Sequence, residues 1–121
     1  MKHDITSIED VTLLVKTFYT NLLRLDEVKP LFADIDFEKH LPHMIAFWDF
    51  VLLDKEGYKT NVFDKHVHLP LTESMFTLWL ETFENTARLL FVGEVTEKAI
   101  FRAQTIAFSF QHKLKQMGKL N

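Results

Sequence analysis

Apolar residues recur at intervals of three and four along four segments of this chain. This spacing places the apolar side chains on one face of an α-helix. The first segment covers residues 7–24, and its apolar positions are Ile8, Val11, Leu14, Val15, Phe18, Tyr19, Leu22 and Leu23. Thr6 and Glu9 have the spacing of a capping box, which predicts that a helix begins here.

Three further segments show the helical period: residues 38–53 (or 41–53), 72–91 and 96–117. Pro42 either lies in the first turn of the second helix or kinks it. Thr72 and Thr96 are the predicted N-caps of the third and fourth helices, and Gly93 separates the two. No segment of useful length alternates with the period of a strand. The sequence therefore predicts an all-α fold.

The connections between these helices also carry signals. Pro30, a helix-breaking residue, directly precedes the apolar pair Leu31 and Phe32. Residues 54–65 are polar and predict an irregular connection, and a short helical turn at residues 63–68 ends at Pro70. Connections of about a dozen residues in compact domains are usually functional. We therefore expect functional residues beside this connection.

The composition limits the classes of protein to which this chain can belong. A chain of 121 residues makes one domain, residues 1–121. The lack of cysteine excludes a disulfide scaffold, a cysteine-ligated zinc or iron–sulfur centre and a thiol nucleophile. Fourteen basic against seventeen acidic residues give a net charge of −3, a poor match to nucleic acid or anionic lipid. No apolar run has the length of a signal peptide or membrane span, so we expect a soluble, cytoplasmic protein with no nucleic-acid or membrane partner.

The six histidines are the candidate metal ligands. His66 lies beside the long connection, four residues before Pro70, and can face the space between the long helices. His68 follows two residues later and points about 200° away along a helical turn. A neutral imidazole at His66 is a natural axial ligand for a transition metal. Together with His40 and His43 the pair could also form a zinc or copper site, but no H-E-x-x-H motif and no acidic residue at ligand spacing supports one.

Aromatic residues are frequent, with twelve Phe, two Trp and two Tyr. Tyr19 and Trp79 lie on apolar helix faces, although each carries a polar atom that needs a hydrogen-bond partner when it is buried. Two interpretations follow. In one, the aromatic residues fill the core of a cofactor-free helical interaction module. In the other, they surround a flat prosthetic group on which the polar atoms of Tyr19, Trp79 and His66 converge, and this explains more with fewer assumptions.

Several short motifs follow one another in a specific order: Phe18-Tyr19, Pro30-Leu31-Phe32, Phe37-x-x-His40-Leu41-Pro42-x-Met44-x-x-Phe47-Trp48, His66-x-x-Leu69-Pro70, Phe76-x-x-Trp79-Leu80 and Arg102-Ala103. Jointly they resemble the pattern of group III of the truncated globin family, over about residues 5–112. The resemblance implies a truncated globin fold, which is a two-over-two helical sandwich around haem b, the iron protoporphyrin IX group.

The resemblance also implies the roles of individual residues. His66 is the expected proximal ligand of the haem iron, and Tyr19, His40 and Trp79 are expected on the distal side. The expected cofactor contacts are Phe32, His43, Met44, Trp48, Phe63, Lys65 and Phe83. Phe32 corresponds to the haem-stacking phenylalanine of globins. The partners of the haem carboxylates stay open among Lys39, His43, Lys65 and His68.

The expected function is the binding of oxygen and other diatomic ligands at a single His-ligated iron. Oxygen bound to ferrous haem carries partial negative charge, and each hydrogen bond to such a group contributes about 1.5–3 kcal/mol. Two donors, Tyr19 and Trp79, would hold oxygen too tightly for delivery, which favours redox chemistry on the ligand over transport. The alternative is a haem enzyme with peroxidase-like or nitric-oxide-detoxifying activity, supplied with electrons by an external reductase.

Overall fold

Four α-helices and one 3-10 helix form the described part of the chain, residues 2–33, 35–53 and 69–120 of this computed structural model. In chain order they are α1 (Ile8–Leu22), the 3-10 helix (Lys29–Phe32), α2 (Phe37–Leu53), α3 (Glu73–Leu90) and α4 (Glu94–Gln116). No strand occurs among the described residues, and the all-α prediction is confirmed. The irregular connection and the short helical turn predicted at 54–68 lie outside the described residues.

The helices pack as two pairs. α1 packs against α2, α3 packs against α4, and the pairs meet mainly through α1 and α3. This is the two-over-two arrangement that the sequence motifs imply. Within residues 2–33, 35–53 and 69–120, no helix is both long and apolar enough to cross a membrane.

α1 begins one residue later than the predicted capping box. Ser7 has an extended backbone, and its Oγ accepts a hydrogen bond from the backbone N–H of Asp10 at 3.2 Å. The Asp10 carboxylate in turn accepts from the backbone N–H and the hydroxyl of Thr6, at 3.0 and 3.2 Å. The N-cap is therefore Ser7, and the predicted box of Thr6 and Glu9 does not form, because Thr6 acts as a donor to Asp10.

α2 contains Pro42 well inside the helix. The helix begins at Phe37, and Asp36 accepts hydrogen bonds from N–H groups of its first turn. The side chain of Asp36 accepts from Glu38 at 3.1 Å, and its carbonyl accepts from His40 at 2.9 Å. Pro42 is therefore not in the first turn, because the helix begins before either predicted start. Since proline has no N–H, the carbonyl of Glu38 lacks its usual helical partner.

The N-cap of α3 is predicted correctly, and that of α4 is wrong. Thr72 Oγ1 accepts from the backbone N–H of Met75 at 3.1 Å. The start of α4 is capped instead by the carboxylate of Asp4. This carboxylate accepts from the N–H groups of Val95 and Thr96 at 2.9 Å each, and from the Thr96 hydroxyl at 2.7 Å. Thr96 is a donor and not a cap, because the acceptor lies 92 residues earlier in the chain.

The N-terminal segment is held against the turn between α3 and α4. The carbonyl of His3 accepts from the N–H of Val92 at 3.0 Å, and the side chain of Ile5 is fully buried. Gly93 has a φ of 141°, and a Cβ at this position would come within 2.4 Å of the Asp4 carboxyl group. Glycine at 93 therefore permits the close approach of Asp4 to the start of α4.

A hydrophobic core joins the helices next to the site. Its buried members from α1 and α2 are Val11, Leu14, Val15, Phe18, Leu22, Met44, Trp48 and Leu52. The Phe18 ring contacts those of Trp79 and Phe83, with centroids 5.7 and 5.3 Å away. A smaller buried cluster consists of Phe76, Ala107 and Leu114. Trp79 packs against both clusters and so connects the two parts of the interior.

Candidate functional site

A cavity of about 370 Å³ lies between the helices. Sites for small molecules and cofactors have volumes of about 300–1,000 Å³. The cavity is lined by Tyr19, Leu22, Val28, Leu31, Phe32, Ile35, His40, His43, Met44, Phe47, Trp48, Leu69, Leu71, Met75, Phe76, Trp79, Ile106, Ala107 and Phe110. The side-chain polar atoms of this lining belong to two histidines, two tryptophans and one tyrosine. A mostly apolar lining with a few placed polar groups is typical of a site for a large apolar ligand.

The Tyr19 phenol and the Trp79 indole both line the cavity, and the indole acts on the phenol as a hydrogen-bonding neighbour that lowers its pKa. An indole N–H can only donate, so the Tyr19 oxygen is the acceptor. The hydroxyl proton of Tyr19 is therefore available for a second acceptor. Burial of the phenol raises the pKa of Tyr19, and the bond from Trp79 opposes this only in part. Tyr19 is thus a protonated donor across the neutral pH range.

Aromatic rings hold the Tyr19–Trp79 pair in place. Phe18 contacts both members, with its ring centroid 4.8 Å from that of Tyr19 and 5.7 Å from that of Trp79. The rings of Phe32 and Phe37 each lie 6.0 Å from the Tyr19 ring. These contacts are edge-to-face or tilted, as aromatic pairs prefer. They fix the positions of the two donors before any ligand is bound.

α2 contributes two histidines to the lining, one helical turn apart. His40 is half-buried, whereas His43 is exposed and lies at the rim. Farther along the helix, Met44 and Trp48 are buried and line the interior of the cavity. α2 therefore contributes polar side chains to the rim of the cavity and apolar side chains to its wall. Together with Phe32, these predicted site residues are gathered around one cavity.

Phe83 does not line the cavity, although the sequence analysis expects it to contact the cofactor. Its ring is fully buried and stacks against those of Trp48 and Trp79. The centroid distances are 4.7 and 5.9 Å, and the interplanar angles are 24° and 19°. Phe83 lies behind these two tryptophans, which do line the cavity, and supports the wall from the core.

Three predicted site residues, Phe63, Lys65 and His66, lie outside the described residues, as does His68. Among residues 2–33, 35–53 and 69–120, no three or more histidine, aspartate or glutamate side chains are grouped to hold a metal ion. The metal-ligand and cofactor roles of Phe63, Lys65 and His66 therefore stay predictions.

Apart from Trp79, the lining that comes from α3, α4 and the residues before α3 is not predicted from the sequence. Leu71, Met75 and Phe76 line the cavity near the start of α3, and Ile106 and Phe110 line it from α4. The helical period marks Phe76, Ile106 and Phe110 as inward-facing. Period alone cannot distinguish a side chain that fills a core from one that borders a cavity.

The two helix pairs with a cavity between them define the fold of a truncated globin. The chain matches the crystal structure of group III truncated hemoglobin from Campylobacter jejuni with a TM-score of 0.84 and 27% identity, over 94% of this chain and 95% of that chain. A curated relative, the group 3 truncated hemoglobin ctb of Campylobacter jejuni subsp. jejuni, is 27% identical over 125 residues, 98% of each chain. No protein-family model matches the chain. The predicted resemblance to group III truncated haemoglobins is confirmed over nearly the whole chain.

Proposed function

We propose that this chain binds haem b in the cavity and that the bound haem takes oxygen and other diatomic ligands. The observation that carries this proposal is the Tyr19–Trp79 pair, which brings an available hydroxyl donor to a mostly apolar wall. The similarity to truncated haemoglobins over nearly the whole chain supports it. Bound haem would supply an iron atom with one open coordination position, and redox chemistry at that position.

The side chains around the cavity suit a haem group. Haem is a large apolar disc with two carboxylates, so it needs apolar walls and a polar or cationic rim. Phe32, Met44 and Trp48 supply walls, and the exposed His43 supplies an imidazole at the rim. Phe83 supports Trp48 from behind. A small interior with these residues has both kinds of surface that haem requires.

His66 is the proposed ligand of the iron. This assignment rests on its position four residues before Pro70 and on the resemblance to group III truncated haemoglobins. A neutral imidazole is a common nitrogen ligand for iron. Phe63 and Lys65 lie three residues and one residue before His66, and we assign them to the haem wall and to the carboxylate rim.

Tyr19 and Trp79 would determine how tightly a ligand is held. A diatomic ligand that carries negative charge accepts hydrogen bonds worth about 1.5–3 kcal/mol each. Because about 1.4 kcal/mol corresponds to one decade, a single bond of this kind slows ligand release roughly tenfold to a hundredfold. Such strong retention does not suit oxygen delivery. We therefore assign redox chemistry on the ligand, rather than transport, to this cavity.

A haem enzyme that works with an external reductase is the second candidate function. The Tyr19 hydroxyl, with Trp79 beside it, would stabilise the charge that develops as an O–O bond is polarised, which favours a peroxidase-like or nitric-oxide-detoxifying reaction. The chain has three glycines and no glycine-rich motif of the kind that binds nicotinamide or flavin nucleotides. The electrons for this reaction would therefore come from a separate protein.

A visible absorption spectrum of the full chain, purified and titrated with haem, tests the proposal. We expect a Soret band at about 400–430 nm that saturates at one haem per chain. A cofactor-free helical interaction module would leave the Soret band of the added haem as it is for free haem and would show no quenching of tryptophan fluorescence, and this result would contradict haem binding. Turnover of peroxide or nitric oxide with an added reductant would select the enzyme over the oxygen-binding protein.

A further inference from the structure

The interface between α1 and α3 contains a buried polar contact. Asn21 Nδ2 donates a hydrogen bond to Thr86 Oγ1 at 3.2 Å, and Thr86 is 2% exposed. Neither residue is part of the cavity lining, so the contact does not serve ligand binding directly. A hydroxyl inside a core costs stability unless it is hydrogen-bonded, and an apolar side chain of the same size would avoid that cost. The contact therefore calls for another explanation.

Asn21 and Thr86 continue the line of aromatic contacts between the same two helices. Asn21 follows Phe18 by three residues on α1, and Thr86 follows Phe83 by three residues on α3. Residues three apart share a helix face. The Phe18 and Phe83 rings contact each other at 5.3 Å. The polar contact thus lies about one turn farther along the face through which α1 and α3 pack.

A hydrogen bond can fix the register of two helices where apolar contacts cannot. Apolar attraction is non-directional, and the ridges of one helix can fit neighbouring grooves of another. The Asn21–Thr86 bond, by contrast, forms in one register, as a buried polar pair does in coiled coils. Tyr19 lies two residues before Asn21, and Trp79 lies about two turns before Thr86. A slip between the helices would therefore separate the Tyr19 phenol from the Trp79 indole.

We propose that Asn21 and Thr86 are positioning residues, whose hydrogen bond fixes α1 against α3 in the register that brings Tyr19 and Trp79 together at the cavity. Through that pair they set the rate at which the cavity releases oxygen. The part of the inference that concerns oxygen rests on the proposed function, whereas the part that concerns register does not.

The indole N–H of Trp79 reports the register directly. The chain has two tryptophans, so a ¹H–¹⁵N correlation spectrum contains two indole signals, which a Trp48→Phe variant assigns. Thr86→Val removes the acceptor with little change in volume, and Thr86→Ser keeps a hydroxyl. We expect Thr86→Val to move the Trp79 signal in the full chain, both without haem and after haem loading. Thr86→Ser should leave this signal at its wild-type position.

Ligand release from the haem-loaded chain gives the second readout. We expect Thr86→Val to raise the oxygen dissociation rate by about threefold to tenfold, because residues that act through others typically change coupling by this order. The carbon monoxide dissociation rate should hardly change, since that ligand carries less charge. A purely structural loss would change both rates alike, whereas Thr86→Ser should keep both near wild type.

Asn21→Ala is the second variant, because Asn21 is half-exposed and alanine favours a helix. It should move the Trp79 signal as Thr86→Val does, and the double variant should move it no farther. An unmoved signal in either folded variant overturns the positioning role. A moved signal with unchanged oxygen release overturns the link to retention. A moved signal in a chain that never binds haem supports the register and contradicts the proposed function instead.

Discussion

The Asp4 carboxylate and the Tyr19 phenol are both partly shielded from solvent, but the protein satisfies them to different degrees. Burial opposes ionisation of Asp4, yet four hydrogen bonds from the surrounding backbone and hydroxyl groups outweigh it and lower the pKa of Asp4. Burial also raises the pKa of Tyr19, and here the single bond from Trp79 does not outweigh it. The Asp4 carboxylate is thus hydrogen-bonded by the protein itself, whereas the Tyr19 hydroxyl proton is available for a further acceptor.

This difference separates a structural region from a functional one. Asp4 lies at the turn between α3 and α4, where its bonds hold the fold together. Tyr19 lies in the cavity wall, where an unused donor can meet a ligand. Substitutions at the turn should therefore change stability and spare ligand binding. Substitutions at the cavity should do the reverse.

The largest effect is expected at His66. His66→Ala should abolish stable haem binding, because the proposed iron ligand is lost. If haem stays bound, free imidazole should restore the lost iron ligand. Helix content, measured by far-ultraviolet circular dichroism, should stay close to wild type. His68→Ala is the matched control and should keep haem. If His68→Ala loses haem while His66→Ala keeps a normal five-coordinate ferrous spectrum, the wrong histidine has been assigned.

Tyr19→Phe should have the next largest effect. Loss of one hydrogen bond to a charged ligand should raise the oxygen dissociation rate roughly tenfold to a hundredfold, and carbon monoxide should be affected far less. Trp79→Phe should act in the same direction. It should disturb the packing less than Trp79→Ala, since most of the ring volume is kept. Stopped-flow ligand replacement measures both rates. Equal changes for the two gases would mean that Tyr19 and Trp79 act through packing alone.

The raised pKa of Tyr19 predicts how the oxygen dissociation rate depends on pH. Because burial raises the pKa of this phenol above its ordinary value of about 10, it should stay protonated up to at least about pH 9. The oxygen dissociation rate of the wild-type protein should therefore be flat between about pH 6 and pH 9. A rise in that rate within this range would show that the donor deprotonates and that the phenol is less buried than the structure indicates.

Asp4→Ala should lower stability without changing ligand release. Loss of an N-cap costs about 0.5–2 kcal/mol in the free energy of unfolding, which urea unfolding measures. Glu9→Ala removes an exposed carboxylate from the first turn of α1 and is the control. Since the folded protein lowers the pKa of Asp4, its contribution is complete above the ordinary pKa of about 3.9 and is lost as pH falls through the lower folded value. The gap between wild type and Asp4→Ala should therefore narrow below about pH 4, and a constant gap down to pH 2 would contradict the cap.

His40→Leu should have the smallest effect. His40 lies in the first turn of α2, where the carbonyl of Glu38 lacks its usual partner because Pro42 has no N–H. We expect this variant to keep haem and to change the association rate of carbon monoxide severalfold, as measured by flash photolysis. Loss of haem on this substitution would show that His40 holds the cofactor and does not only control access.

The sequence predicts well what depends on neighbouring residues. The apolar period places α1 and α3 within two residues of their observed bounds, and Thr72 caps α3 as expected. The predicted N-cap of α4 is wrong, because the start of this helix is capped by Asp4, 92 residues before Thr96. No local pattern around Thr96 can reveal a partner that only the folded chain brings near.

The candidate site shows the same limit. The sequence places Tyr19 and Trp79 on inward faces, but their hydrogen bond to each other depends on how α1 and α3 are aligned. Phe83 is correctly inward, yet Trp48 and Trp79 separate it from the cavity. Helical period tells which residues point inward. It does not tell which of these side chains border the cavity and which lie behind them in the core.

The bond between Asp4 and the start of α4 also sets an order of events. It closes a ring of 91 residues, and closing so long a loop carries a large entropic cost that only already folded helices can reduce. During synthesis Asp4 is made before its partners Val95 and Thr96, which follow 91 and 92 residues later. We expect the first turn of α4 to gain amide-exchange protection last in refolding. A residue that is made before all four of the described helices is therefore the one that completes the start of α4.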